Sequence, residues 1–263
     1  RCGYNDCMNR IPNFELPDNK KIPSIGLGLW LVRVEANCIE TVATGIEAGY
    51  THFDSAQVYG NEKHLGIALK SSALKREDLF VTTKISVANF LRVKSSFDKS
   101  LEKLQLEYVD LLLLHFPVTG VRSKAWKDLE DIHAEGRAKS IGVSNYTVRH
   151  LKQLLKNCKI KPAVNQVELH VFLQQPELVA YCKENGILVE AYSPLAHGKG
   201  LDDPVLSEIA KKHNKTTAQI MIRWCLDIGT LPLPKSTKAE RLKQNIDVFD
   251  FKLDSHDMEK IKG

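Results

Sequence analysis

From residue 27 to residue 233, short apolar runs alternate with longer amphipathic stretches. The runs read as strands over 27–30, 50–54, 79–84, 108–115, 138–143, 163–167, 187–191 and 230–233. Amphipathic stretches follow at 37–48, 61–70, 92–105, 123–135, 147–156, 175–185 and 203–227. Within 37–48, Ile39, Val42, Ala43 and Ile46 recur with the 3.6-residue period of a helix laid on a sheet. Repeated β-then-α units with short connections demand a parallel sheet, open or closed into a barrel. Eight strands favour closure, and the nearly unbroken apolar run Val109-Asp110-Leu111-Leu112-Leu113-Leu114 fits a strand buried on both faces. The expected architecture is therefore α/β, a (β/α)8 TIM barrel. Between Phe14 and Pro23, two short extended pieces flank a polar turn and predict an N-terminal β-hairpin.

Length agrees with one such barrel: the chain has 263 residues, against about 250 for the fold. No linker or composition break divides it, so residues 1–263 are expected to form one domain, with 1–10 peripheral to it. The main rival, an open dinucleotide-binding sheet, needs Gly-x-Gly-x-x-Gly between a strand and a helix. Gly26-Leu27-Gly28-Leu29-Trp30-Leu31 lacks the third glycine, and the helix after it starts too late. A Walker loop is absent as well.

Charge and cysteine usage exclude several classes of function. The 37 Lys and Arg exceed the 32 Asp and Glu by only five, and basic residues cluster no further than pairs such as Lys20-Lys21 and Lys211-Lys212. Such pairs read as solvated faces, and no nucleic-acid partner is expected. No apolar run approaches the roughly 20 residues that cross a bilayer. The first residues carry no apolar signal core, so a cytoplasmic location is expected. The six cysteines show no Cys-x-x-Cys and no metal-finger spacing. Cys158, Cys182 and Cys225 read as buried thiols, and Cys2 and Cys7 as reduced in a cytosol. His170 near Glu168 fits no standard metal site, and no metal is expected. His52, within the second strand, reads as a hydrogen-bonded core residue.

In a parallel barrel, chemistry sits at the C-terminal ends of the strands. Three strands here end in a residue that is costly to bury alone: Asp54, Lys84 and His115. Their spacing is about one βα unit each, so consecutive strands bring a carboxylate, an ammonium and an imidazole to one rim. Tyr59 follows in the loop above it. Taken singly, each has a plainer reading: the Asp as a helix cap, the His as a core residue, the Tyr as packing. The Lys is harder to set aside, because an apolar strand seldom ends in an unpartnered lysine. Together they make chemical sense. A nearby ammonium stabilises phenolate and lowers the tyrosine pKa from about 10. Asp54 then holds Lys84 charged, and a neutral His115 donates to a substrate oxygen. That is equipment for protonating an oxygen as it becomes an alkoxide.

Around these residues the chain resembles the aldo-keto reductase superfamily. Phe53-Asp54-Ser55-Ala56-Gln57-Val58-Tyr59-Gly60-Asn61-Glu62 is similar to its signature around the catalytic Asp and Tyr. Thr82-Thr83-Lys84 and Leu113-Leu114-His115-Phe116-Pro117 resemble its Lys and His segments. The likeness continues through Ile141-Gly142-Val143-Ser144-Asn145-Tyr146, Val164-Asn165-Gln166-Val167-Glu168, Ala191-Tyr192-Ser193-Pro194-Leu195 and Pro234-Lys235-Ser236-Thr237. It covers roughly residues 14 to 260, in the family's order.

The resemblance implies reduction of aldehydes and ketones by NADPH. Hydride passes from nicotinamide to the carbonyl carbon while Tyr59 protonates the oxygen, Lys84 and Asp54 tune Tyr59, and His115 orients the carbonyl. By the same matching, Tyr192 stacks on the nicotinamide, and Ser144, Asn145 and Gln166 bind its carboxamide. Ser193 and Leu195, in the segment after Tyr192, and Thr237, after Ser236, are expected along the cofactor. Trp30 matches a substrate-pocket aromatic, with barrel packing as the alternative. Lys235, Ser236 and Arg241 match the residues that hold the 2′-phosphate of NADPH, and Gln244 and Asn245 those facing adenine. Many relatives have Glu in place of Gln244.

The residues themselves lean the same way on the cofactor. Thr237-Lys238-Ala239-Glu240 reads as a capping box at a helix start. Lys235, Lys238 and Arg241 crowd that N-terminus, where the helix dipole disfavours cations. A bound phosphate resolves the conflict, and the place after the last strand is where barrels commonly hold one.

The chain departs from many animal relatives in two respects. Only eight residues separate Pro117 from Trp126, and the sequence stops at Gly263, soon after the helix that begins near Asp254. This trimming resembles compact microbial, fungal and plant members. It predicts an open pocket of broad, modest affinity for small aldehydes, α-keto compounds or quinone-like carbonyls. The family resemblance further implies a monomer. Two other functions compete: a non-catalytic NADPH-binding member of the superfamily, and an unrelated barrel isomerase or lyase using the phosphate site. The intact rim residues oppose the first, and the order of the cofactor segments opposes the second.

Overall fold

The computed structural model describes residues 11–262. The Cys2/Cys7 reading and the placement of residues 1–10 lie outside the described residues. The described residues form two sheets, a two-stranded hairpin and an eight-stranded parallel sheet. The hairpin pairs β1 (Asn13–Glu15) with β2 (Lys21–Pro23), antiparallel, as the polar turn between them predicts. The large sheet runs in chain order through β3 (Leu27–Gly28), β4 (His52–Asp54), β5 (Phe80–Ile85), β6 (Val109–Leu114), β7 (Ala138–Ser144), β8 (Val164–Glu168), β9 (Leu188–Tyr192) and β10 (Leu231–Leu233).

Closure of the barrel depends on two glycines. Gly26 and Gly28 donate their backbone N–H groups to the carbonyls of Pro232 and Pro234, at 3.1 and 3.0 Å, which joins the first strand to the last. A Cβ on Gly26 would sit 2.6 Å from both His52 Nδ1 and Leu233 Cδ2, and one on Gly28 would sit 3.2 Å from the Leu233 carbonyl oxygen. Only a residue without a side chain lets the strands approach this closely. The paired glycines that fail as a nucleotide loop thus serve as a seam.

Helices α1 (Glu35–Ala48), α2 (Glu62–Lys70), α3 (Val93–Leu104), α4 (Arg122–Ala134), α5 (Val148–Leu155) and α6 (Pro176–Glu184) follow the strands β3 to β8 in turn. Each turns an apolar stripe to the sheet; in α3 it is Val93, Phe97, Leu101 and Leu104. Fully burying a side chain of this size stabilises by about 1.5–3 kcal/mol. The one acidic residue in the β6 run, Asp110, has a partner: it pairs with Arg76 at 2.6 Å and accepts the Val81 N–H at 2.9 Å.

The hairpin plugs the N-terminal end of the barrel. Leu16 and Ile22 pack with Phe80, Leu111, Leu113, Val164 and Leu231. Asp18 accepts a 2.7 Å bond from Ser140 at the start of β7, and Lys20 donates to the Lys139 carbonyl. The floor is therefore sealed by apolar packing and polar clips, and the opposite rim is left to carry a site.

Past β9 the structure differs from the periodic reading. The stretch 203–227, read as one amphipathic segment, is two helices, α7 (Pro204–His213) and α8 (Thr217–Asp227). Asn214 takes the left-handed conformation (φ 52) and ends the first helix, and Thr216 starts the second through a reciprocal capping box with Gln219. A residue at positive φ stops the helical ladder while the apolar period runs on across it. After β10 come α9 (Ala239–Ile246) and α10 (Ser255–Lys262). A second correction falls at α9: the Thr237–Glu240 capping box does not form. Lys238 is the N-cap, without a side-chain bond, and the Ser236 hydroxyl accepts the Lys238 N–H at 3.1 Å instead. Ser236 has taken the local acceptor role, and Thr237 is exposed. Cys38, Cys182 and Cys225 are buried free thiols, but Cys158 is only half-buried, because it lies in the loop beyond α5.

Candidate active site

Asp54, Lys84 and His115 stand at the C-terminal ends of β4, β5 and β6, as the spacing predicts, and the turn after β4 folds Tyr59 back over them. Lys84 is fully buried, yet its ammonium is completely satisfied. It donates to Asp54 Oδ1 at 2.6 Å, to the Ser55 carbonyl at 2.9 Å and to the Tyr59 hydroxyl oxygen at 3.2 Å. Three protons meet three acceptors, one of them a carboxylate, so a buried charge is tolerated here. Because Tyr59 accepts from Lys84, its own proton is free to point into the cleft.

The electrostatics correct the sequence expectation that Lys84 lowers the Tyr59 pKa below its ordinary value. Burial pushes the Tyr59 pKa up, Lys84 pulls it back down, and the net direction is upward. Tyr59 is therefore held protonated, with Lys84 ready to stabilise the phenolate once the proton leaves. Burial also opposes the charge on Lys84, but Asp54 and Tyr59 outweigh it and raise its pKa. His115 is pushed down to about 3 by burial and then by Lys84, so its imidazole is neutral, as the hydrogen-bonding role requires. His52 behaves as a core residue: it is fully buried, with Nε2 3.0 Å from Thr82 Oγ1.

A second layer ties the rim together. Gln166 donates from Nε2 to Asp54 Oδ2 at 2.8 Å. Ser144 donates to the Gln166 carbonyl at 2.9 Å, and Asn145 donates to the His115 carbonyl at 3.1 Å. The Tyr192 hydroxyl donates to Asn145 Oδ1 at 3.0 Å. Asn145 and Ser193 both have positive φ, 64 and 50, at sharp turns leaving β7 and β9. The Trp30 ring packs beside that of Tyr59, with centroids 4.9 Å apart, and is 41% exposed. Trp30 lines the cleft.

These residues line one cleft of about 990 Å³. At one end stand Trp30, Tyr59 and His115; along it come Ser144, Asn145, Gln166, Tyr192, Ser193 and Leu195; at the far end lie Lys235, Ser236, Arg241, Gln244 and Asn245. Lys235 and Arg241 make no ion pair among the described residues, and both stand beside the N-terminal turns of α9. Thr237, expected among the cofactor contacts, does not line the cleft. A cleft with an acid-base cluster at one end and unpaired cations at the other suits a long anionic cofactor.

Sequence reasoning missed several residues of the cleft. Thr216, Thr217 and Ala218 enter it from the break between α7 and α8, and His197 and Leu201 from the loop after β9. His197 lies 3.4 Å from Glu168, as does His170. The Phe172 N–H bonds to His170 Nδ1, which leaves the Nε2 proton to face Glu168. That tautomer gives the carboxylate a hydrogen-bond donor, the structural role expected of His170. A further missed residue is Glu190, fully buried on β9 and bonded to Gln166 at 2.7 Å. A signal for it existed: a lone acid within Leu188-Val189-Glu190-Ala191-Tyr192 is as anomalous as Lys84 on β5.

A barrel with a Tyr–Lys–Asp–His cluster on its rim and a long cleft beside it defines a class of oxidoreductase. Comparison with known proteins agrees: residues 24–263 match the model of the Aldo/keto reductase family. The chain is 44% identical to a glyoxal reductase of Bacillus subtilis over 249 residues, 94% of this chain and 90% of that protein. It is 41% identical to a methylglyoxal reductase, DkgA, of Escherichia coli over 94% of this chain and 91% of the relative. Among solved structures, a Bombyx mori aldo-keto reductase in complex with NADP superposes with a TM-score of 0.91 at 35% identity, covering 96% of this chain and 92% of that one. The chain belongs to the aldo/keto reductase family and is a carbonyl oxidoreductase.

Proposed function

We propose that the protein reduces small aldehydes and ketones, α-dicarbonyls such as glyoxal and methylglyoxal among them, with NADPH and with Tyr59 as general acid. The observation that carries this reading is the Lys84 ammonium held between Asp54 at 2.6 Å and the Tyr59 hydroxyl at 3.2 Å. When bound, reduced nicotinamide supplies the hydride. Lys235, Ser236 and Arg241 would hold the 2′-phosphate, Gln244 and Asn245 would face the adenine, and Tyr192 would stack on the nicotinamide. Ser144, Asn145 and Gln166 would bind the carboxamide.

The chain's own residues then handle the oxygen. His115, neutral, donates a hydrogen bond to the substrate carbonyl and points it toward Tyr59. As negative charge develops on that oxygen, Tyr59 delivers its proton, and the Lys84 ammonium stabilises the phenolate left behind. Asp54 keeps Lys84 charged and in place. Trp30, Leu31 and Val58 flank this end of the cleft and present apolar surface open to solvent, which suits small substrates of varied shape. All the rim residues come from one chain, so a monomer suffices. No helix among the described residues is long and apolar enough to cross a membrane.

The test follows loss of NADPH absorbance with a panel of aldehydes, ketones and dicarbonyls, repeated with Tyr59→Phe. Turnover that falls by about 10²-fold or more in the variant supports the assignment. Tight NADPH binding without turnover of any carbonyl would favour a binding role instead.

A further inference from the structure

Glu190 takes no part in the mechanism above, yet it is fully buried at the heart of the site. Its register neighbours on β9's two flanks are Gln166 on β8 and Leu231 on β10. Gln166 Nε2 donates one proton to Glu190 Oε2 at 2.7 Å and the other to Asp54 Oδ2 at 2.8 Å. Two carboxyl groups thus grip the two N–H bonds of one amide. That fixes which way the amide faces, because only its NH2 side can bond to both, and it leaves the amide oxygen as the polar atom offered to the cleft that Gln166 lines. The second oxygen of Glu190, Oε1, has no partner among the described residues. A buried ionised carboxylate with a bare oxygen is costly, whereas a neutral acid can place its proton there.

We propose that Glu190 is a positioning residue for carbonyl reduction: through the shared Gln166 amide it holds Asp54 in line with Lys84 and Tyr59, and turns the Gln166 oxygen toward the cofactor. This rests on the reductase reading. The charged and titratable groups that face Glu190 are Asp54 from β4, Lys84 from β5 and Tyr59 from the turn after β4. Asp54 and Lys84 already neutralise each other, so a second anion would be uncompensated. Burial, and after it Asp54, push the Glu190 carboxyl up to about 8. At neutral pH it is the acid form, with Oε2 still accepting from Gln166. Above that range it ionises, and the added negative charge makes Tyr59 hold its proton more tightly. Glu190 therefore delays the loss of the Tyr59 acid as pH rises.

The experiment compares the wild type with Glu190→Gln and Glu190→Ala. Infrared spectra should show a buried carboxylic acid band at pH 7 that fades near pH 9 and is missing from Glu190→Gln. This readout needs no turnover, so it stands or falls apart from the reductase reading. In single-turnover oxidation of bound NADPH, the basic limb of the rate profile should lie about half a pH unit or more lower in Glu190→Gln, because the anion that defends Tyr59 is gone. NADPH should bind about threefold or more weakly to Glu190→Ala, with affinity restored in Glu190→Gln. A merely structural role would leave the basic limb where it is, whereas the band reports only that Glu190 carries the proton. An unchanged limb in Glu190→Gln, no acid band lost on that substitution, or wild-type NADPH affinity in Glu190→Ala each overturns the proposal.

Discussion

At the scale of single residues, the rim shows how burial and pairing divide the work between stability and chemistry. Lys84 and Asp54 form a buried pair at 2.6 Å. Removing one partner strands the other charge in the core, which costs about 3–5 kcal/mol, while replacing both with neutral groups costs far less. Lys84→Met alone should therefore lower the unfolding free energy by that amount and abolish most activity. Lys84→Met with Asp54→Asn should recover much of the stability and none of the activity; chemical denaturation and NADPH oxidation measured side by side would check this. Two histidines make a separate statement about acid. His52 and His115 are both pushed down to about 3, chiefly by burial, against about 6.5 in an unfolded chain. Above pH 6.5 neither state takes up the proton and their contribution to stability is complete. As pH falls from there toward 3, the unfolded chain binds protons the folded one refuses, so stability is lost. His115→Gln should thus lose stability less steeply than the wild type between pH 6.5 and pH 4 in urea melts. An equal slope would mean that His115 titrates normally in the folded protein.

At the scale of elements, the seam between β3 and β10 is the tightest joint. Gly26→Ala places a methyl 2.6 Å from the His52 ring and from Leu233, so the seam must open or His52 must leave Thr82. Overpacking of this kind costs about 1–3 kcal/mol, and a thermal melt of the variant would show it. Most elements could be read from the chain because each carries a physical mark. Strands buried on both faces read as apolar runs, and Asp54, Lys84 and His115 stood out as polar ends to such runs. What could not be read depended on backbone conformation or on loops. The break at Asn214 interrupts the helix without interrupting its apolar period, so 203–227 looked continuous. Thr237 looked like a cap because the local spacing allows it, but Ser236 reached the N–H of Lys238 first. His197 and Thr216 enter the cleft from connections that no periodicity describes. Glu190 carried the same mark as Lys84, an ionisable group inside an apolar strand, but no partner at the expected spacing drew attention to it.

For the molecule as a whole, the cleft separates chemistry from cofactor choice along its length. The proton-handling group lies over β4, β5 and β6, and the proposed 2′-phosphate site lies beyond β10, at the start of α9. Arg241 is exposed and carries no ion pair among the described residues, so removing it strands no buried charge and should leave the fold intact. Its guanidinium has value only when an anion arrives, and a charge-assisted bond of that kind is worth about 1.5–3 kcal/mol. Arg241→Ala should therefore raise the KM for NADPH by about tenfold or more, since 1.4 kcal/mol is a factor of ten. The KM for NADH, which lacks the phosphate, should barely move, and kcat with either cofactor should be preserved because Tyr59 and Lys84 are untouched. Added salt should weaken NADPH binding to the wild type more than to the variant, since screening acts on an exposed charge pair. If both cofactors weaken equally, Arg241 supports the cleft generally and the phosphate site lies elsewhere. If kcat falls with KM unchanged, the two ends of the cleft are coupled, and the division of labour along it is wrong.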